Sequence, residues 1–182
     1  MNLPSKIIEE AYSSLDDLFQ QIKTLAVSVF GFPKIYDHYL VYGYQAHPGP
    51  IKSLRELDLL LLLSGEGTEV ALSPLDSQTY WLKINTPNAS LALYPDGHGY
   101  VNSKKVIDSL INYLSSLEQC QEVEFNLERK AVTLKLRAYE WSFNLIPAVP
   151  VDNKLGERIY YLIPNAQGNW GQITIENEAK IN

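Results

Sequence analysis

Apolar residues recur at Ile8, Ala11, Leu15, Leu18, Phe19, Ile22, Leu25, Ala26 and Val29, steps of three and four that form one face of a long helix. Ser5 is a good N-cap for it, and Gly31 with Pro33 stops it. Tyr36 to Tyr44, rich in Tyr, Leu and Val, reads as a strand, and a loop holding Pro48, Gly49 and Pro50 leads to Arg55-Glu56-Leu57-Asp58 and the run Leu59 to Leu63. Leucine favours helix and so short a run has no usable period. Its length and the closing Ser64-Gly65-Glu66-Gly67 nevertheless read as a buried central strand. On a strand Glu56 and Asp58, two apart, point to one side.

Three short apolar segments follow, 69–72, 79–84 and 90–94, separated by turn residues, and suggest a β-meander or inserted hairpin over 69–100. A second helix opens at Asn102 or Ser103, with Val106, Ile107, Leu110, Ile111, Leu114 and Leu117 on its buried face. The period then changes to two. Glu122 to Phe125, Ala131 to Arg137 with Val132, Leu134 and Leu136 inward, and Trp141 to Ile146 read as antiparallel strands, the last ended by Pro147 and Pro150. Arg158 to Ile163 and Ile173 to Ile175 are further strands around a Gly-Asn-Trp-Gly loop. The order predicts an α+β domain with a mixed or antiparallel sheet.

Composition narrows the chemistry. With 182 residues, residues 1–182 read as a single domain, and 46% hydrophobic against 20% charged residues is the balance of a folded protein. A net charge of −6 without a Lys/Arg cluster predicts no strong nucleic-acid binding and no membrane attachment. The single cysteine, Cys120, excludes an internal disulfide or thiolate cluster and suits the reducing cytoplasm; it reads as a structural thiol. His38, His47 and His98 lack metal-site spacing. Glu56 and Asp58, by contrast, could hold a hard cation such as Mg²⁺ together with phosphate oxygens, or could simply be solvated charges at a strand edge.

Several positions together carry a resemblance. Gly43 stands thirteen residues before Glu56-Leu57-Asp58; later come Trp141-Ser-Phe-Asn144-Leu-Ile-Pro147-Ala148, Tyr160-Tyr-Leu-Ile-Pro164 and Gly168-Asn-Trp170. The chain resembles the nucleotidyltransferase core of the bacterial cyclic-oligonucleotide synthases (the CD-NTase or SMODS family), relatives of animal cGAS and oligoadenylate synthase. The resemblance implies a polymerase-beta-like mixed sheet packed on the long N-terminal helix and the second helix. It also implies a role in bacterial anti-phage nucleotide signalling. By the family pattern, Gly43 and Tyr44 form the turn that meets a nucleoside triphosphate, Glu56 and Asp58 are the Mg²⁺ ligands, and Glu56, Asp58 and Asn144 are the catalytic positions if the protein is active.

The departures from that pattern predict impaired transfer. Tyr44 stands where the family has serine, and Glu56 lengthens the first acidic arm. Asn144 is neutral where a third carboxylate would accept a proton and draw two cations together. The family's following helical lobe is absent from the 182 residues, so the base is expected to be poorly enclosed. Three functions stay open: a degenerate domain that binds a nucleotide or a protein, a working Mg²⁺-dependent nucleotidyltransferase making a cyclic or linear oligonucleotide, and an interaction module presenting its twelve tyrosines.

Overall fold

In the computed structural model, which describes residues 5–42, 56–72, 79–126, 131–136, 142–165, 167–174 and 180–181, the leucine run is a strand. It forms β2 (Glu56–Leu63), set between β1 (Ile35–Tyr42), antiparallel to it, and β7 (Ser142–Asp152), parallel to it. Leu59 to Leu63 are each at most 1% exposed, as expected of a strand covered on both faces. The other described strands are β3 (Thr68–Leu72), β4 (Thr79–Ile84), β5 (Cys120–Asn126), β6 (Ala131–Leu136), β8 (Arg158–Pro164), β9 (Trp170–Ile173) and β10 (Lys180–Ile181). They join in the order β10-β1-β2-β7-β8-β9-β4-β3, with the β5–β6 pair attached to the first half of β7 through β6. The result is a mixed α+β arrangement with helices α1 (Ser5–Ser28) and α2 (Ser103–Ser115).

Strand alternation divides the side chains of the central strands between two clusters. Leu59, Leu61 and Leu63 of β2 and Phe143 and Leu145 of β7 join Leu15, Leu18, Phe19 and Ile22 of α1 and Val106, Ile107, Leu110 and Leu114 of α2 in the main core. Leu60, Leu62, Ile146 and Ala148 pack instead with Leu40, Ala131 and Tyr161. One face of β2 and β7 therefore meets the helices, and the other carries Asp58, Asn144 and this small cluster. Among the described side chains of α1, Leu15, Leu18, Phe19 and Ile22 are buried and Leu25, Ala26 and, just past the helix, Val29 pack partly buried against the core, because burial at every third or fourth position is what a helix on a sheet requires. Tyr39 ties α1 to β1 through its hydroxyl, which donates to Asp16 Oδ1 at 2.8 Å. Burial first, and the Asp16 carboxylate second, push that phenol above its ordinary pKa.

Three expectations are corrected. The Gly-Asn-Trp-Gly stretch is not all loop, since Trp170 and Gly171 already pair with Pro164 and Ile163 of β8 as the start of β9. Residues 90–94 are not a strand: Leu91 and Tyr94 are buried while Leu93 is 51% exposed, and Ala92 and Tyr94 donate to the carbonyls of Ala89 and Leu91. That three-residue spacing is one of consecutive turns, so the 69–100 segment is a β3–β4 hairpin followed by turns. Nor do Pro147 and Pro150 end β7, which runs through both to Asp152. Pro147 lies after the last register pair with β6 at Leu145 and before the first with β8 at Val149. Pro150 lies beyond the last pair with β2 at Ala148. Each proline stands where β7 is paired along one edge only, the place at which a residue without an N–H costs a ladder least. Gly43, Tyr44, the Pro48-Gly49-Pro50 loop, His47 and Trp141 lie outside the described residues.

The N-terminus of α2 is fastened to the β8–β9 turn. Asn102 caps the helix, its side chain accepting from the Lys104 and Lys105 amides, and the fully buried Ser103 donates to the Asn169 carbonyl at 2.7 Å. Gly168, whose carbonyl accepts from the Ser103 amide at 2.9 Å, has φ +86, and a Cβ there would sit 3.1 Å from Asn102 Oδ1. Gly168→Ala would strain the backbone and press on the cap together, so a loss of about 2 kcal/mol is expected, read as a lower urea midpoint at unchanged slope. A midpoint equal to that of the parent protein would show the turn to be slack.

Candidate functional site

Asp58 stands opposite Asn144 in the parallel β2–β7 register, and Thr133 of β6 stands opposite Asn144 on its other side. Parity in the strands carries all three to the face away from the helices: Asp58 with Leu60, Asn144 with Ile146, Thr133 with Ala131. The side chains form a chain of hydrogen bonds. The Thr133 hydroxyl donates to Asn144 Oδ1 at 2.6 Å, and Asn144 Nδ2 donates to Asp58 Oδ1 at 2.7 Å. Asn144 is fully buried, whereas Asp58 retains 8% exposure, so the chain has an inner amide and an outer carboxylate. Losing a hydrogen-bond partner inside a protein costs about 1–3 kcal/mol, so the links of this chain resist being broken.

Of the residues singled out in the sequence, the structure brings Asp58 and Asn144 together, 86 positions apart in the chain. Glu56 begins β2 opposite Ser142, while its side chain, like Gly43 and Tyr44, lies outside the described residues. His98 is exposed in a turn where Asp96 Oδ1 accepts from the His98 and Tyr100 amides at 2.7 and 3.0 Å. Cys120 is buried at the start of β5. Thr133 was not singled out. Its only signal in the sequence is its position between the inward Val132 and Leu134, which turns it to the opposite face, and nothing local says that this strand will lie beside Asn144.

Asp58, Asn144 and Thr133 carry hard oxygen atoms, but Asn144 turns Nδ2 to Asp58 and Oδ1 to Thr133, so of the three it is the Asp58 carboxylate that has the chemistry to face a hard cation. Among the described residues no group of three or more His, Cys, Asp or Glu is gathered for a metal. With one carboxylate, the trio would carry charge for at most a single hard cation whose remaining ligands would come from water or phosphate. It does not supply the charge for two.

A groove of about 470 Å³ lies beyond the other end of β2, lined in part by Ser64, Gly65, Glu66, Thr68, Val149 and Asp152. At the rise of a strand this is roughly 20 Å from Asp58. Of its two acidic residues, Asp152 is paired with the Arg158 guanidinium. Among the described residues no helix is long and apolar enough to cross a membrane.

A buried strand-to-strand contact between a carboxylate and a carboxamide, on a mixed sheet with helices on its other face, defines the class of site; comparison with other proteins then narrows it. No protein-family model matches the chain. It is similar to a probable cyclic nucleotide synthase of Bacillus cereus (strain VD146), with 29% identity over 184 residues. The likeness takes in 98% of this chain but 54% of that protein, so the chain spans about half the length of the relative it matches. A likeness running almost from end to end supports a relationship to cyclic nucleotide synthases, with the sheet and both helices inside the matched region.

Proposed function

We propose that this chain is a nucleotidyltransferase-type core that binds a nucleoside triphosphate with one Mg²⁺ at the Asp58 face, and that by itself it transfers nucleotides poorly. The Asp58–Asn144 contact at 2.7 Å carries the reading. Asp58 and Asn144, by the resemblance the second acidic position and the third pattern position, lie side by side on parallel strands, and the third is an amide. The synthase relative adds nucleotides as the ligand class.

Each residue's part follows from its chemistry. Asp58 provides the fixed negative charge, and Asn144 holds that carboxylate in place by donating to Oδ1. Asn144 cannot take a proton from an attacking hydroxyl, and it adds no charge against which a second cation could be held. Mg²⁺, when bound, would neutralise the phosphate oxygens and orient them. Glu56 is proposed as a second ligand from the start of β2, and Gly43-Tyr44 as the turn that meets the phosphates. Such a domain works by occupancy, passing on nucleotide binding to a protein partner, within anti-phage nucleotide signalling by the family resemblance.

Calorimetric titration with ATP and GTP, with and without Mg²⁺, tests this directly. Asp58→Ala is expected to weaken the Mg²⁺-dependent part of binding by about tenfold or more, the effect of removing a charge-assisted contact. Robust product from labelled nucleotide, lost on Asp58→Ala, would overturn the poor-transfer reading. It would establish the second one, an active nucleotidyltransferase, which the relative's printed name favours. Equal Mg²⁺-dependent affinity of Asp58→Ala and the parent protein would leave the interaction module.

A further inference from the structure

Beyond Ala148 the edge of β7 that faced β2 runs on with no described strand beside it, while Val149 to Asp152 stay paired with β8 along the other edge. All four of these residues line the groove at the far end of β2. Side chains of a strand alternate between two faces, so four successive residues reach one groove only along the strand's edge, where about two of their carbonyls point into it. The facing wall is Thr68 and Val70 of β3, itself paired only with β4 among the described strands, with Leu82 of β4 behind them. Gly65 brings the two walls together, since a Cβ there would lie 3.0 Å from Val149 Cγ1. The groove is a slot along an unpaired strand edge, with an apolar floor of Val70, Leu82 and Val149.

The polar groups of the slot call for a donor. The Thr68 hydroxyl already donates to the Gly65 carbonyl at 2.6 Å, and Ser64 Oγ accepts from the Glu66 amide at 3.3 Å. Asp152 is held by the Arg158 guanidinium at 2.5 Å, whereas no described residue pairs with the exposed Glu66 carboxylate. Tyr36, 40% exposed, adds an aromatic ring to the lining. We propose that this groove is a strand-addition site for an extended basic segment of a partner protein, with an arginine between two apolar residues. The segment's N–H groups meet the β7 carbonyls, and its apolar side chains settle on the floor. Strand alternation turns the arginine outward, where Glu66 and the Tyr36 ring both attract a guanidinium. The free edge, four residues or about 13 Å long, sets the length of segment that is read. The inference stands apart from the Asp58 face and does not depend on nucleotide binding there.

Nuclear magnetic resonance on the isotope-labelled full chain, titrated with the capped peptide acetyl-Val-Arg-Val-amide, tests the site. The expected result is saturable shifts at the amides of Gly65, Val70, Val149 and Val151, with a dissociation constant in the millimolar range or below, and none at Asp58 or Asn144. The same peptide with glutamate in place of arginine should not bind, and a version N-methylated at every residue, which has no backbone N–H to give, should lose saturable binding. Glu66→Gln, a change at an exposed side chain, should weaken the arginine peptide about fivefold, the scale of one exposed charge pair. Absence of shifts at millimolar peptide would overturn the site. Equal affinity for Glu66→Gln, or for the glutamate peptide, would overturn the basic partner. Equal affinity of the N-methylated peptide would overturn strand addition.

Discussion

Asn144→Asp is expected to make the fold depend on a divalent cation. The substitution keeps size and shape but replaces the N–H that reaches Asp58 Oδ1 at 2.7 Å with a second carboxylate oxygen. The Thr133 hydroxyl can still donate to one oxygen of the new side chain, so the added cost is concentrated on the Asp58 side. Position 144 has no solvent exposure, so the repulsion between the two carboxylates is poorly screened. In a metal-free solution with chelator, a loss of roughly 3 kcal/mol is expected, the scale measured when one member of a buried pair is left uncompensated. Mg²⁺ or Mn²⁺ should restore the stability in proportion to occupancy, because a ligand bound only by the folded state stabilises it by mass action. Urea unfolding in chelator and in Mg²⁺ would measure this, and an Asn144→Asp variant with the same midpoint in both would sink the idea that this face takes a cation. The same variant separates the functional readings, since restoring a third carboxylate should raise any nucleotide transfer that the parent protein performs.

Trp170→Ala should have the largest effect on stability. Trp170 is 0% exposed, pairs in register with Tyr80 of β4 and Pro164 of β8, and donates from Nε1 to the Val101 carbonyl at 3.1 Å. Truncation removes the indole, leaves a cavity and strands a buried carbonyl, which together cost on the order of 4 kcal/mol. For a chain of this size that is a fall on the order of 10 °C in melting temperature. Trp170→Phe keeps most of the volume and should recover more than half of the loss. A fall of only a degree or two in Trp170→Ala would mean that the joint between α2 and the β8–β9 turn carries little of the stability.

The helices and the leucine strand were legible because their physics is local. In α1 and α2 the apolar step of three and four states which side is buried, whereas the leucine run of β2 is ambiguous by composition and reads as a strand through its shortness and the closing Ser64-Gly65-Glu66-Gly67. The β7 strand was cut short at Pro147 because proline is a sound local stop signal, and the relief comes from elsewhere: β6 departs and β8 arrives around it. Residues 90–94 misled because a short apolar run has the same composition whether it alternates or turns, and only the burial of Leu91 and Tyr94 with Leu93 outside distinguishes them. Asp58 and Asn144 could be placed on one face because their roles in the resemblance fix the partner strand. Thr133 could not. A threonine on a strand has no signature until the register with β7 is known, and that register is set by packing across the whole sheet.

The course of β7 has a mechanical corollary. It runs parallel to β2 in its first part and antiparallel to β8 in its second, with a proline guarding each change of neighbour. A slip of one residue along β2 would exchange Asn144 for Phe143 or Leu145 and send the amide into the helical core, but the same slip would drag Val149 and Val151 out of step with Leu162 and Tyr160. The far half of the molecule is thus an anchor for the alignment of a single carboxamide. Damage to that distant half would reach the Asp58 face by sliding, with no contact between the two.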